Sequence, residues 1–164
     1  MLVVLVRHGD AAFSMPDAKR ELSARGREEV HRAVATHAAF RRMGAASADE
    51  AGVRVVVSPL LRAQQTAAIL ADEFNANGSR FALITDDRLE PDRDPAAVFA
   101  LVDQAQMQGI TELWLVGHNP LLSTLLSLLA DGELNSQPQL ATAEIVELEI
   151  DWVGLGCATV GYRA

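Results

Sequence analysis

Cysteine is nearly absent: Cys157 is the only one in 164 residues. The chain can therefore close no disulfide on itself and build no cysteine metal cluster, a usage that fits a reducing compartment. Positive charge is scarce too. Fourteen Lys and Arg stand against 22 Asp and Glu, giving a formal net charge of −8 and a pI near 4.9. A broad basic face for nucleic acid or anionic lipid is thereby disfavoured, so any anion must meet a local cluster of cations. The N-terminal apolar stretch, "MLVVLV", has no basic region before it and runs straight into Arg7. It is too short for a membrane span and lacks the pattern of a signal peptide, which makes the cytoplasm the expected location.

What remains is ordinary for a globular protein: 49 % hydrophobic and 22 % charged residues. The length suits one domain, 1–164, with a substantial core. No internal repeat or low-complexity tract interrupts it. Short apolar segments at 2–7, 53–57, 81–85 and 112–116 are expected strands, of the kind covered on both faces of a parallel sheet. Helical patterns fall between them at 24–43, 60–74, 96–107 and 121–130. Ser58-Pro59, Asp94-Pro95 and Asn119-Pro120 each set a capping residue before a proline, predicting three helix starts. The stretches 44–52, 75–79 and 131–139 are expected loops. Near the C-terminus, "EIVELEID" alternates Glu147, Glu149 and Asp151 with Leu148 and Ile150, predicting a half-exposed strand at or near a sheet edge. "CATVGYR" (157–163) is its expected partner across a turn. The pattern as a whole predicts an α/β three-layer sandwich, with a mostly parallel sheet flanked by helices and an antiparallel edge near the C-terminus.

Open sheets of this kind bind ligands beyond the carboxyl ends of their strands. The first strand ends on Arg7-His8-Gly9, the second on Ser58-Pro59 ahead of Arg62, and the one at 112–116 on Gly117-His118-Asn119-Pro120. Two arginines and two histidines therefore converge on one predicted rim, a composition suited to a phosphate-type anion. Arg7 and His8 are neighbours, however, and regular strand alternation would turn them opposite ways. His31 and His37 lie on the long helix and are expected to be exposed or lightly packed. Trp114 and Cys157 are expected in packing, and "GLGCAT" (154–159) is expected to be a turn rather than a phosphate loop.

The ordered blocks "LVRHGDA" (5–11), "LSARG" (22–26), "VVVSPLLRAQQTA" (55–67) and "LVGHNPLL" (115–122) resemble the signatures of the histidine phosphatase superfamily. Their form and the short chain resemble its phosphohistidine phosphatases. The resemblance implies that His8 is a nucleophile that becomes phosphorylated, with Arg7, Arg62 and His118 holding the phosphoryl group. It implies no cofactor and no metal, because guanidinium groups supply the needed charge. Asp86-Asp87 and Asp92/Asp94 read as loop and cap residues. Glu90 is the first candidate for a general acid and Asp10 the second, although a phosphorylated imidazole leaves readily enough to need neither. With only about ten residues between the strand at 81–85 and the next helix, there is no room for a lid. An open site suits phosphohistidine carried on another protein, such as a phosphotransfer domain. A small-molecule phosphomonoesterase or mutase, and an idle phosphoprotein-binding module, are the alternatives.

Overall fold

The computed structural model describes residues 1–44, 52–76, 81 and 83–164. Strands β1 (Leu2–Arg7), β2 (Val53–Val57), β3 (Leu83–Thr85) and β4 (Glu112–Gly117) alternate with helices α1 (Ala24–Gly44), α2 (Leu61–Ala76), α3 (Pro95–Met107) and α4 (Leu121–Asp131). The chain then closes with β5 (Ile145–Ile150) and β6 (Ala158–Arg163). The strands form one sheet in the order β3-β2-β4-β1-β5-β6. Pairings among β1 to β4 are parallel, whereas β1–β5 and β5–β6 are antiparallel. The expected three-layer α/β fold is observed.

The layers follow from handedness. The chain steps outward from β1 to β2 to β3 and then back to β4, so right-handed crossovers put α1 and α2 on one face and α3 on the other. Alternation along each strand divides the core accordingly. Val4, Val6, Val55, Val57, Trp114 and Val116 pack under α1 and α2. Val3, Leu5, Leu113 and Leu115 pack under α3 and the largely buried α4. None of the described helices is long and apolar enough to cross a membrane.

Several local expectations need correction. The strand expected at 81–85 is reduced to Leu83–Thr85, with 82 outside the described residues. It is exposed rather than covered, because β3 pairs only with β2 and ends the sheet. Of the three capping pairs, Asp94 acts as expected, its side chain accepting from the Ala96 N–H with Pro95 in the first turn, while the Ser58 hydroxyl accepts from the Leu60 N–H at 3.4 Å ahead of the helix proper. Helix α2 begins at Leu61, and the Leu60 carbonyl takes its first bonds, from Ala63 and Gln64. Pro120 rather than Asn119 is the cap of α4, since the Asn119 amide is spent on the Leu140 carbonyl and the Ser123 hydroxyl. His37 is not lightly packed. It is buried with its Nε2 2.8 Å from Glu147 Oε1, between the rings of Trp114 and Tyr162. Glu147 is accordingly buried and only Glu149 of β5 faces solvent, because β6 rather than β5 is the edge and α1 covers the face expected to be open. The loops expected at 44–52 and 75–79 fall largely outside the described residues, while 131–139 is a loop as expected.

Two glycines fix how the first strand end meets α1. A Cβ on Gly9 would sit 2.5 Å from the Gly26 carbonyl oxygen, and one on Gly26 would collide with the Asp10 backbone. The "RHG" and "ARG" segments thus touch backbone to backbone, an approach only glycine permits. Gly26→Ala is expected to cost about 2 kcal/mol or more by overpacking, read as a lower urea midpoint at unchanged m-value.

Candidate active site

β1, β4 and β2 are adjacent in the sheet, so the three strand ends are neighbours on one rim. The parallel ladders run one residue further than the strands. His8 N–H donates to the Gly117 carbonyl at 3.1 Å, and Ser58 N–H to the Val116 carbonyl at 3.0 Å. These bonds set His8, His118 and Ser58 side by side. The rings of His8 and His118 lie 4.9 Å apart between centroids.

Arg62, in the first turn of α2, reaches this pair from the side. Its Nε donates to His8 Nε2 at 3.2 Å. Arg7 comes over the rim from the opposite face and donates through Nη1 to the Leu140 carbonyl at 2.6 Å. Strand alternation does send Arg7 and His8 to different faces, but β1 ends at Arg7. Both side chains are therefore free to turn toward the rim, and the charge of Arg7 acts on both histidines. The four residues singled out by sequence are brought together.

The histidines are held uncharged. Burial is the largest cause lowering the His8 pKa to about 4; the Gly9 carbonyl opposes this, while Arg62, Arg7 and Arg20 add to it. Removal from water matters more than the neighbouring arginines. His118 is pushed down to about 3, first by burial and then by His8 and Arg62, with Asp17 opposing. The tautomer of His8 follows from its neighbours. Nδ1 lies 2.7 Å from the Gly9 carbonyl oxygen, which can only accept, so Nδ1 carries the hydrogen and Nε2 the lone pair. Arg62 Nε, a donor, sits on that lone pair.

Two polar atoms here have nothing to bond. Arg7 Nε and His118 Nδ1 are buried without a hydrogen-bond partner among the described residues. Such atoms are costly to leave unmade, and Arg7 Nε can only donate. The Ser58 hydroxyl, which accepts from the Leu60 N–H at 3.4 Å, can donate to His118 Nε2 and leave the hydrogen on Nδ1. Both atoms therefore suit a ligand with acceptor oxygens. Arg62, by contrast, is fully engaged. Its Nη1 donates to the Asp17 carbonyl at 3.0 Å and its Nη2 to Asp17 Oδ2 at 3.2 Å.

Some contributors carried no sequence signal. Asp17 stands in a 3-10 turn, Asp17–Lys19, and reaches Arg62 only through the tertiary fold. Arg20 lies near enough to act on His8. Ser58 was read as a cap, but its hydroxyl lies 2.8 Å from His118 Nε2. A buried serine one residue past a strand that borders a motif strand is the one cue that points to it. Neither carboxylate candidate for a general acid joins the histidines: Glu90 Oε2 pairs with Arg93 at 3.0 Å, and Asp10 Oδ2 accepts from the Ser23 hydroxyl at 2.6 Å. Among the described residues, no group of three or more His, Cys, Asp or Glu is arranged to hold a metal ion.

Comparison with known proteins gives this geometry its context. The family model of the histidine phosphatase superfamily (branch 1) matches residues 3–90. The phosphohistidine phosphatase SixA of Escherichia coli K12 is 31 % identical over 157 residues, covering 95 % of this chain and 89 % of that protein. A solved structure of the protein histidine phosphatase SixA with tungstate superposes with a TM-score of 0.81 at 27 % identity, covering 99 % and 96 % of the two chains. A mycobacterial glucosyl-3-phosphoglycerate phosphatase shares the fold at a TM-score of 0.67 and 17 % identity, covering 98 % and 95 %. With the strand-end residues, the family match and the full-length relative in agreement, the chain belongs to branch 1 of the histidine phosphatase superfamily.

Proposed function

We propose that the protein is a phosphohistidine phosphatase, removing phosphoryl groups from histidine on another protein through a phosphorylated His8. The observation that carries the reading is the neutral His8 ring, its Nε2 lone pair aimed at a rim where Arg7 Nε and His118 Nδ1 await an acceptor. The relative of 31 % identity is named for this activity, and a related structure holds tungstate, a tetrahedral oxyanion like phosphate.

The chemistry balances without further reagents. The His8 Nε2 lone pair forms a bond to phosphorus as the bond from phosphorus to the substrate imidazole breaks. That imidazole, protonated on its second nitrogen, departs neutral. His8 keeps its Nδ1 hydrogen, so its ring becomes cationic, and the Gly9 carbonyl at 2.7 Å meets the developing charge. Water then attacks phosphorus, the Nε2–phosphorus bond breaks, and dihydrogen phosphate and the original tautomer of His8 result. Both bonds broken are to cationic imidazoles, so neither Glu90 nor Asp10 has to protonate a leaving group. Guanidinium charge from Arg7 and Arg62 serves where other phosphoryl-transfer enzymes use magnesium, making turnover independent of metal.

The substrate class follows from the rim. The segment between β3 and α3 is short and folded on itself by ion pairs of Arg88 with Asp86 and of Arg93 with Asp87 and Glu90. A connector of this length is ordinary and too short for a lid, which suits a histidine carried on a protein surface, such as a phosphotransfer domain. A role in cytoplasmic signal transduction follows from that substrate.

His8→Ala is expected to lower turnover of a phosphohistidine protein by about a thousandfold or more. EDTA should leave wild-type turnover unchanged, and acid-labile phosphate should be trapped on wild type alone. A panel of phosphohistidine, phosphoaspartate, phosphotyrosine and phosphoglycerate should favour the first; full activity in His8→Ala would end the proposal.

The pH dependence has a definite sign. In the unfolded chain both histidines take up protons near 6.5, whereas in the fold they resist until about 4 and about 3. The unfolded state therefore binds more protons in that window, and stability falls as pH drops from 6.5 toward 4. Above 6.5 the two rings contribute no slope. Nitrogen-15 NMR of the side chains should show His8 as the Nδ1–H tautomer at pH 6, and a midpoint near 6.5 would contradict the assignment.

A further inference from the structure

We infer that Asp17 is an internal competitor for the phosphoryl site, a carboxylate that occupies Arg62 in the resting enzyme and must be displaced before phosphorus can reach His8. This rests on the reading of His8 and its cations as a phosphoryl site, and it adds a residue that sets how tightly that site holds small anions.

The carboxylate of Asp17 is placed as a bound oxyanion would be. One oxygen accepts from Arg20 Nη1 at 3.1 Å and the other from Arg62 Nη2 at 3.2 Å, so it bridges two guanidinium groups. Its backbone carbonyl takes a third bond, from Arg62 Nη1. These contacts hold Arg62 with its remaining nitrogen, Nε, on the His8 lone pair. That lone pair must form the bond to phosphorus, so Arg62 has to shift aside, and the Asp17 carboxylate on Nη2 opposes the shift with its charge.

Exposure decides which partner moves. The Arg62 side chain is 6 % exposed and Asp17 is 52 % exposed. Stripping a buried guanidinium of its anion is strongly unfavourable unless another anion replaces it. An exposed carboxylate, in contrast, swings into water at small cost. The exchange therefore runs one way on substrate binding: phosphoryl oxygens come in as Asp17 goes out. It runs back when the product leaves, because the carboxylate refills Arg62. Inorganic phosphate, the product, must compete with an anion tethered beside the site. Asp17 keeps it from lodging there.

The test is to titrate inorganic phosphate into wild type, Asp17→Asn and Asp17→Ala, reading dissociation constants by calorimetry. Removing the charge is expected to tighten phosphate binding about fivefold in both variants, the scale of one partly exposed charge at contact distance. With p-nitrophenyl phosphate as a small substrate, KM should fall by a similar factor while kcat holds, because ground state and transition state both lose the competitor. If Asp17 instead held Arg62 in its working position, both variants would bind phosphate more weakly, and that result overturns the inference. Equal binding in all three proteins overturns it as well. A second measurement needs no variant: saturating phosphate should shift the backbone amide signals of Asp17, Ala18 and Lys19 in wild type, and unmoved signals count against displacement. Failure of the phosphatase reading would look different, with wild type neither binding phosphate nor hydrolysing phosphohistidine.

Discussion

A histidine walled in by guanidinium groups stays useful only if it stays uncharged, and the hydrogen bond from His8 Nδ1 to the Gly9 carbonyl is what makes the uncharged form specific. Burial already disfavours protonation of the ring, but burial alone leaves open which nitrogen carries the hydrogen. The carbonyl closes that choice by accepting at Nδ1, and Nε2 is left with the lone pair, which Arg62 Nε meets at rest. The same carbonyl raises the His8 pKa slightly against the effect of burial. One contact therefore fixes the tautomer at rest and steadies the cationic ring once a group is attached. Its position depends on Gly9 lying flush against Gly26, so the first turn of α1 and the end of β1 act as one rigid piece.

The sheet order supplies the rest. Because β4 returns between β1 and β2, three motif ends that are far apart in sequence become adjacent, with loop residues Asp17 and Leu140 partnering the two arginines. The ladder bonds from His8 and Ser58 to β4 extend that rigidity by one residue past the strands. Precise placement on strand ends supports phosphoryl transfer, where positioning and charge outweigh covalent chemistry.

Much of this was legible in the sequence because it rests on local pattern. Strand–helix alternation gave the layers, and the ends of three apolar segments gave Arg7, His8, Arg62 and His118. Features that depend on what covers a residue were not legible. The alternation of Glu147 with Leu148 suggested an open face, yet α1 lies there and brings His37 against the carboxylate. Residues 81–85 looked like a covered strand because their apolar character says nothing about position in the sheet. Ser58 and Asn119 read as caps because both are short and polar before proline. In the fold their side chains are claimed by His118 and Leu140, which lie far along the chain.

The two arginines of the site are partnered in different ways, and the difference bears on how an acidic protein keeps an anion site. With a net charge of −8, the surrounding field opposes any incoming phosphate. Arg7 is satisfied by the Leu140 carbonyl, an acceptor with no net charge, so its positive charge remains for a ligand while one nitrogen is anchored. Arg62 is satisfied by a carboxylate that cancels it, so its charge appears only when that carboxylate leaves. On the proposed exchange, Arg7 attracts the phosphoryl group from the outset, and Arg62 contributes once the group has entered far enough to displace Asp17. The second cation would thus be withheld from stray anions and committed to one that also reaches His8, where the proposed reaction needs its charge.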